Sequence, residues 1–256
     1  MPLLDATLWG PRNKVDIAIE RLQNLAPADG YYLSFSGGKD SVTLYRLAEM
    51  AEVKFDAHYN ITTVDPPELV QFIKQEYPTV ERHHPEKSMW ALISDHQCPP
   101  SRQQRYCCQA LKEGGGTGRV VLTGIRWAES NRRRKRHMTE ACMTDGTKTF
   151  VNPIIDWTDA DVWEFIHTYN VPYCSLYDEG FKRLGCVLCP MSRNSKRDIE
   201  RWPKIAAQYV RTFDKLIIER TTKGKKTTFK TGQEWFDWWI TREGKSTSEG
   251  QLVMFE

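Results

Sequence analysis

Apolar positions along the chain recur with two periods, and the alternation between them outlines a fold. From Asn13 to Leu25 (NKVDIAIERLQNL) they return every three to four residues and stop before Pro27, which predicts a helix. Tyr31–Phe35 is a short unbroken apolar run, the pattern of a buried strand, and Ser41–Ala51 returns to helical spacing. Lys54–Ile61 predicts the next strand. A helix over 66–77 follows, with Pro66 and Pro67 at its start, where a missing N–H costs least. Val80–His84 predicts a short strand, Ser88–His96 a helix, and Arg119–Ile125 (RVVLTGI) a strong strand. Thr158–Tyr169 is a well-signalled helix, with Thr158 as cap and Asp161 three residues on.

Strands alternating with helices predict an α/β protein with a doubly wound, mostly parallel sheet. From about Ser195 the pattern changes to long polar helices, a lysine-rich turn (Lys223, Lys225, Lys226) and the aromatic stretch EWFDWWI. The expected organisation is a helical lead-in over 1–29, a core domain over 30–192 and a C-terminal helical appendage over 193–256.

Composition narrows the class only a little. Apolar residues make up 40% and charged residues 27%, as in ordinary globular proteins, and the net charge of +3 is too small to argue for a polyanionic partner. The first 30 residues lack a basic segment followed by an apolar one, and no apolar run is long enough to span a bilayer. The expectation is a cytoplasmic protein without membrane contact, whose seven cysteines serve as thiols or metal ligands rather than disulfides.

Between the strand at Tyr31 and the helix at Ser41 lies Ser36-Gly37-Gly38-Lys39-Asp40-Ser41. A glycine-rich turn from a strand into a helix suits an anion, because the glycines let backbone N–H groups approach it and the helix start adds partial positive charge. Ser36 and Ser41 supply hydroxyl donors and Lys39 a full charge. Asp40 repels a phosphate unless a cation such as Mg²⁺ bridges them, so it either holds that ion or braces the loop. The sequence is not a Walker A motif.

The hexamer resembles the S-G-G-x-D-S signature of the PP-loop ATP pyrophosphatases and their relatives, the PAPS and APS (sulfonucleotide) reductases. NITTVDPPEL (60–69), TGIRWAES (123–130), DWTDADVWEFI and VPYCSLYDEGFKRLGC (156–186) extend the resemblance over most of residues 28–192. It implies an adenine nucleotide alpha hydrolase-like fold. It also implies a nucleotide site of Ser34, Ser36, Gly37, Gly38, Lys39, Asp40, Ser41, Asp65, Gly124, Arg126 and Glu129, in which Arg126 meets a phosphate or sulfate. Lys39, Asp40 and Arg126 are the expected catalytic residues.

Cys107-Cys108 and the C-x-x-C of Cys186 and Cys189 are four of the seven cysteines. By itself a C-x-x-C is redox-active, half of a zinc site or coincidental. The tandem pair upstream resembles the [4Fe–4S] arrangement of assimilatory APS reductases, which implies that all four thiolates ligate one cluster, with zinc as the alternative. Cys98 and Cys142 read as incidental. Cys174 reads as a small buried hydrophobe, with approach to the nucleotide as its alternative role. The reductases carry a nucleophilic cysteine in a C-terminal tail, whereas here no cysteine follows Cys189 and the chain ends STSEGQLVMFE.

The run Arg132, Arg133, Arg134, Lys135 and Arg136, next to His137, is the densest charge cluster. It is either a solvated loop or a nucleic-acid contact, extended in the second case by Lys87, Arg102, Arg105, Arg193, Lys196 and Arg197. Trp235, Phe236, Trp238 and Trp239 have the spacing of a packing face. His58, His83, His84 and His167 show no H-E-x-x-H pairing.

Two chemistries are open to such a chain. In the first, ATP activates an acceptor oxygen of a DNA phosphate or RNA base, and sulfur arrives from a cysteine desulfurase, as in the ATP-pyrophosphatase component of DNA-phosphorothioation systems. In the second, the substrate is APS or PAPS, the product sulfite and the partner thioredoxin. A third reading is a non-catalytic nucleotide-binding component of a nucleic-acid assembly.

Overall fold

Ahead of the first helix the chain forms an antiparallel hairpin, β1 (Leu4–Thr7) with β2 (Gly10–Asn13), so the expected helical lead-in is part hairpin. Asn13 then caps α1 (Lys14–Asn24), its side chain accepting from the Val15 N–H. The computed structural model describes residues 3–7, 10–142, 146–192 and 194–241. Arg193 and the segment 246–256 lie outside the described residues. Two units form: Met1–Glu86 with Cys108–Cys186, and Lys87–Cys107 with Val187–Glu256.

The first unit is built on a six-stranded sheet. β3 (Tyr31–Ser34), α2 (Lys39–Met50), β4 (Phe55–Asn60), α3 (Pro67–Glu76) and β5 (Glu81–His83) follow in turn, close to their predicted bounds. β6 (Val120–Leu122) is shorter than the predicted 119–125. β7 (Thr139–Ala141) and β8 (Thr149–Val151) were not foreseen, since three residues are too few to display a period. The order is β5-β4-β3-β6-β8-β7, and every neighbouring pair is parallel except β7 with β8. Leu33, Leu44, Leu47, Ile73, Leu122 and Phe165 are among its fully buried side chains. α6 (Asp159–Thr168) begins with the expected capping box of Thr158 and Asp161, and Asp161 also holds Lys14 in a buried ion pair at 2.8 Å.

From β3 the chain runs outward through β4 to β5, then returns to place β6 on the other side of β3. The carboxyl ends of β3 and β6 therefore flank the point where the winding reverses, which is where open α/β sheets bind ligands. Both family-like segments, 36–41 and 123–130, leave the sheet there.

The second unit is helical. α4 (Met89–His96) starts at the cap Ser88. α5 (Tyr106–Leu111), which the sequence did not announce, carries Cys107 and Cys108 across the division between the units. α7 (Ser195–Arg201), α8 (Pro203–Thr222) and α9 (Gly232–Thr241) complete it. Trp235, Phe236 and Trp239 are buried against Phe213 of α8, and Trp239 donates its indole N–H to the Pro100 carbonyl at 2.7 Å. The aromatic stretch is thus a packing face. Among the described residues, no helix is long and apolar enough to cross a membrane.

Candidate nucleotide site

The loop from Ser36 to Ser41 is tied together by its own hydroxyls. Ser41 Oγ donates to the Gly38 carbonyl at 2.9 Å and accepts from the N–H and the hydroxyl of Ser36, both at 3.2 Å. Gly37 lies at φ +69°, in the left-handed region. A Cβ there would come within 2.7 Å of Leu69 and 2.8 Å of Ile73. Gly38 is the N-cap of α2, so the loop delivers the chain directly onto the positive end of that helix. The Lys39 N–H donates to the Tyr177 hydroxyl at 2.8 Å. Burial pushes the Tyr177 phenol up, so the hydroxyl keeps its proton and has it to donate.

Behind the loop is a four-charge network. Arg126 is fully buried. Its Nε donates to Asp40 at 2.7 Å, one terminal nitrogen to Asp159 at 2.6 Å and the other to the Trp157 carbonyl at 3.2 Å. Lys39 Nζ lies 3.5 Å from Asp40 and 3.4 Å from Asp159. Burial works against the Arg126 charge, and Asp40 and Asp159 outweigh it. Desolvation likewise works against the Asp159 carboxylate. The hydrogen bond from Arg126 and the charge of Lys39 overcome it and hold Asp159 below the usual carboxylate range.

Three of the five guanidinium N–H groups are thus engaged by carboxylates or a carbonyl, and the buried arginine holds Asp40 and Asp159 in place. Asp40 correspondingly braces the loop. Gly124 makes the brace possible: a Cβ there would meet Asp40 Cβ and its carbonyl oxygen at 3.0 Å. Glu129 serves the same segment, accepting from the Arg126 N–H at 3.1 Å and from Arg133.

Ser34 ends β3 and is exposed. Asp65 closes the turn after β4 by accepting from the Thr62 N–H at 2.7 Å. Asp159 and Tyr177 are the two members of the site that the sequence did not single out. Both stand inside stretches already set apart, in DWTDADVW and SLYDEG, but nothing in their spacing marks them as partners of residue 126 or residue 39.

The basic run is partly neutralised, since Arg133 pairs with Glu129 and Arg136 with Glu140. Arg132, Arg134 and Lys135 are exposed. In the second unit, Lys87 pairs with Asp95 at 2.6 Å and Arg102 donates to the Pro190 carbonyl at 3.1 Å.

Cys107, Cys108, Cys186 and Cys189 are all partly exposed, and Cys186 donates to the Thr62 hydroxyl at 3.4 Å. Cys98, expected to be incidental in a loop, is buried and accepts at its carbonyl from the Tyr106 hydroxyl at 2.6 Å. Cys174 is buried, as a small hydrophobe would be. Desolvation raises both of these thiols.

Residues 30–192 match the phosphoadenosine phosphosulfate reductase domain. The chain belongs to that family. A PAPS reductase of Candida auris, solved with phosphate, shares the fold with a TM-score of 0.51 at 19% identity, covering 66% of this chain and 87% of that one. Among sequence relatives, an adenosine 5'-phosphosulfate reductase of Allochromatium vinosum is 29% identical over 150 residues, which is 53% of this chain and 57% of the relative. An uncharacterized protein of Methanocaldococcus jannaschii is 29% identical over 189 residues, 69% of this chain and 46% of that protein. A probable FAD synthase of Caenorhabditis elegans is 27% identical over 174 residues, 68% and 32% of the two chains. The chain spans about half the length of the first curated relatives it matches. The family includes proteins named for different reactions on adenine nucleotides, so membership establishes a PP-loop nucleotide-binding protein.

Proposed function

We propose that this PAPS reductase-family protein is an ATP pyrophosphatase that activates an oxygen of a nucleic acid, a DNA phosphate or an RNA base, for replacement by sulfur. The observation that carries the reading is the braced loop itself: Ser36–Ser41 at the switch point of the sheet, opening onto the start of α2. Lys39 and Arg126 balance Asp40 and Asp159 behind it. Because that network is neutral in sum, attraction for polyphosphate comes from the loop N–H groups and the helix start.

In the proposed step the acceptor oxygen attacks the α-phosphorus of ATP, forming an O–P bond while the bond to pyrophosphate breaks. Pyrophosphate leaves with the bonding electrons. A persulfide from a cysteine desulfurase partner then displaces AMP together with the activated oxygen, which leaves the donor joined to the acceptor through an S–S bond. A thiol reductant cleaves that bond, so that one sulfur stays on the acceptor and the donor departs as a disulfide with the reductant. Positioning and charge neutralisation are the main demands of such phosphoryl chemistry, and a rigid braced loop supplies both. Asp159, whose side chain is largely exposed, and Asp40 offer oxygen donors of the kind Mg²⁺ prefers. The four partly exposed thiols Cys107, Cys108, Cys186 and Cys189 have the donor chemistry of a [4Fe–4S] cluster. When bound, such a cluster would supply iron sites for sulfur or electron transfer.

The sulfonucleotide reductase reading is favoured by the likeness to adenosine 5'-phosphosulfate reductases. Thiol attack on sulfur needs an accessible thiolate. Of the three cysteines outside the four proposed ligands, Cys98 and Cys174 are buried with raised thiols, which weighs against either as that nucleophile, and Cys142 is partly exposed. Exposed Arg132, Arg134 and Lys135 support a nucleic-acid acceptor.

The two readings separate in one assay of the anaerobically purified chain. The proposal expects pyrophosphate release from ATP that DNA or RNA stimulates and that rising salt suppresses steeply. Asp40→Ala is expected to abolish that release without unfolding the protein. Sulfite release from APS or PAPS with reduced thioredoxin, and no pyrophosphate from ATP, would replace this reading with the reductase.

A further inference from the structure

On one face of the sheet, at its β4–β5 edge, lies a group of side chains that the nucleotide reading does not use. The parallel register sets His58 opposite Glu81 and Asn60 opposite His83. With a period of two along each strand, His58, Glu81 and His83 project from the same face. His58 Nδ1 lies 2.8 Å from His83 Nε2 and 3.4 Å from Glu81 Oε2, and His83 Nε2 lies 3.8 Å from Glu81 Oε1. Two imidazole nitrogens and a carboxylate thus converge on one point.

A second set of contacts orients His58. Its other nitrogen, Nε2, bonds the Asp56 carboxylate. Asp56 in turn accepts two hydrogen bonds of 2.6 Å from Arg119, which also donates to the Gly30 carbonyl at 3.0 Å. The Tyr32 ring stacks on the imidazole, with centroids 4.0 Å apart and planes 3° from parallel. A carboxylate on Nε2 keeps the proton there and leaves the lone pair on Nδ1, the nitrogen that faces His83 and Glu81. Carboxylate–histidine pairs of this kind orient ligands behind metal ions and raise their basicity.

We propose that His58, Glu81 and His83 form a binding site for a divalent transition metal, with Zn²⁺ the ion that its donors fit. Ligands around tetrahedral zinc, at bonds of 2.0–2.1 Å, stand about 3.3 Å apart. Here the imidazole nitrogens stand 2.8 Å apart, Glu81 reaches them at 3.4 Å through Oε2 and 3.8 Å through Oε1, and one donor atom of each residue lies within 4.8 Å of the others. Mg²⁺ and Ca²⁺ prefer oxygen donors throughout, and two imidazoles argue against both. His58 is the fixed ligand, with 9% of its side chain exposed. His83 and Glu81, at 38% and 64%, have room to open the short His58–His83 contact around an ion. Their exposure leaves a fourth position open to water, as in zinc sites with three protein ligands. The ion would join β5, a three-residue edge strand, to β4 through side chains as well as the ladder. This site shares no residue with the cysteines or with the loop at Ser36.

The test titrates the full-length chain with Zn²⁺ alone, counting bound metal by equilibrium dialysis and following the melting temperature. Co²⁺ serves as a spectroscopic stand-in. The comparison is among wild type, a Cys186→Ser/Cys189→Ser chain, and that cysteine variant carrying in addition the single variant His83→Gln or Glu81→Gln. The expected result is one equivalent of Zn²⁺ that persists in the cysteine variant. Its affinity falls about 10-fold or more when His83→Gln or Glu81→Gln is added. Zn²⁺ raises the melting temperature of the cysteine variant but not once His83→Gln is added, and only the former shows visible Co²⁺ bands without thiolate charge transfer. His83 and Glu81 are exposed enough for both single variants to fold, which their melting without metal verifies. Zinc bound equally well once His83→Gln is added, or bound only while the cysteines are intact, overturns the proposal.

Discussion

Arg126 has no surface in contact with water, yet it carries a full charge between Asp40 and Asp159. Such a group is tolerated only because every nitrogen finds an acceptor, and removing one side of a buried pair typically costs about 3–5 kcal/mol. Arg126→Met should therefore lower unfolding stability in urea by that order, whereas Asp159→Asn, on an exposed side chain, should cost much less. The pH dependence has a defined sign. Asp159 titrates below its ordinary 3.8 in the folded chain. Its contribution is therefore complete above about pH 4 and is lost as the pH falls through the depressed folded value. Asp159→Asn should flatten the acid limb of stability against pH below 4, and an unchanged limb would remove Asp159 from the network. G-x-R-x-x-E-S singles out Arg126, but its burial between two carboxylates was not legible, because its partners lie 86 and 33 residues away and only the fold brings them together.

At the level of elements, local signals served where an element carries its own cap and period. α1, α4 and α6 start where Asn13, Ser88 and Thr158 say they should. β6, β7 and β8 have three residues each and depend on neighbours for their pairing, so their bounds or existence escaped the pattern. The junction of α8 and α9 is decided by one glycine. A Cβ on Gly232 would stand 2.3 Å from the Val210 carbonyl oxygen and 2.6 Å from the Asp214 nitrogen, both backbone atoms. By helix propensity alone Gly232→Ala would stabilise by up to about 1 kcal/mol. The packing predicts the opposite, a loss on the order of 1–3 kcal/mol as α9 is forced off α8. Chemical denaturation gives the sign directly.

For the molecule as a whole, a family-wide scaffold is combined with residues that set the reaction. The mostly parallel sheet, the loop at its switch point and the match over 30–192 establish a PP-loop nucleotide protein; the alternation of periods and SGGKDS foreshadowed the sheet's class and the loop, but not the strand order. The choice among reactions was less legible, because it depends on which thiols are accessible and which arginines are paired. Burial of Cys98, and the pairing of Arg133 and Arg136 with glutamates, follow from tertiary packing that no local motif encodes. Calorimetric titration of the anaerobically purified full-length chain with Mg²⁺–ATP, APS and PAPS tests the central claim, that the Ser36–Ser41 loop grips a nucleotide's phosphates. At least one of the three should bind wild type with measurable heat, and Lys39→Met, which leaves the network behind the loop one charge negative beside the phosphates, should bind it about 10-fold or more weakly. No heat from any of them with the folded wild-type chain, or equal affinity in the variant, would contradict it.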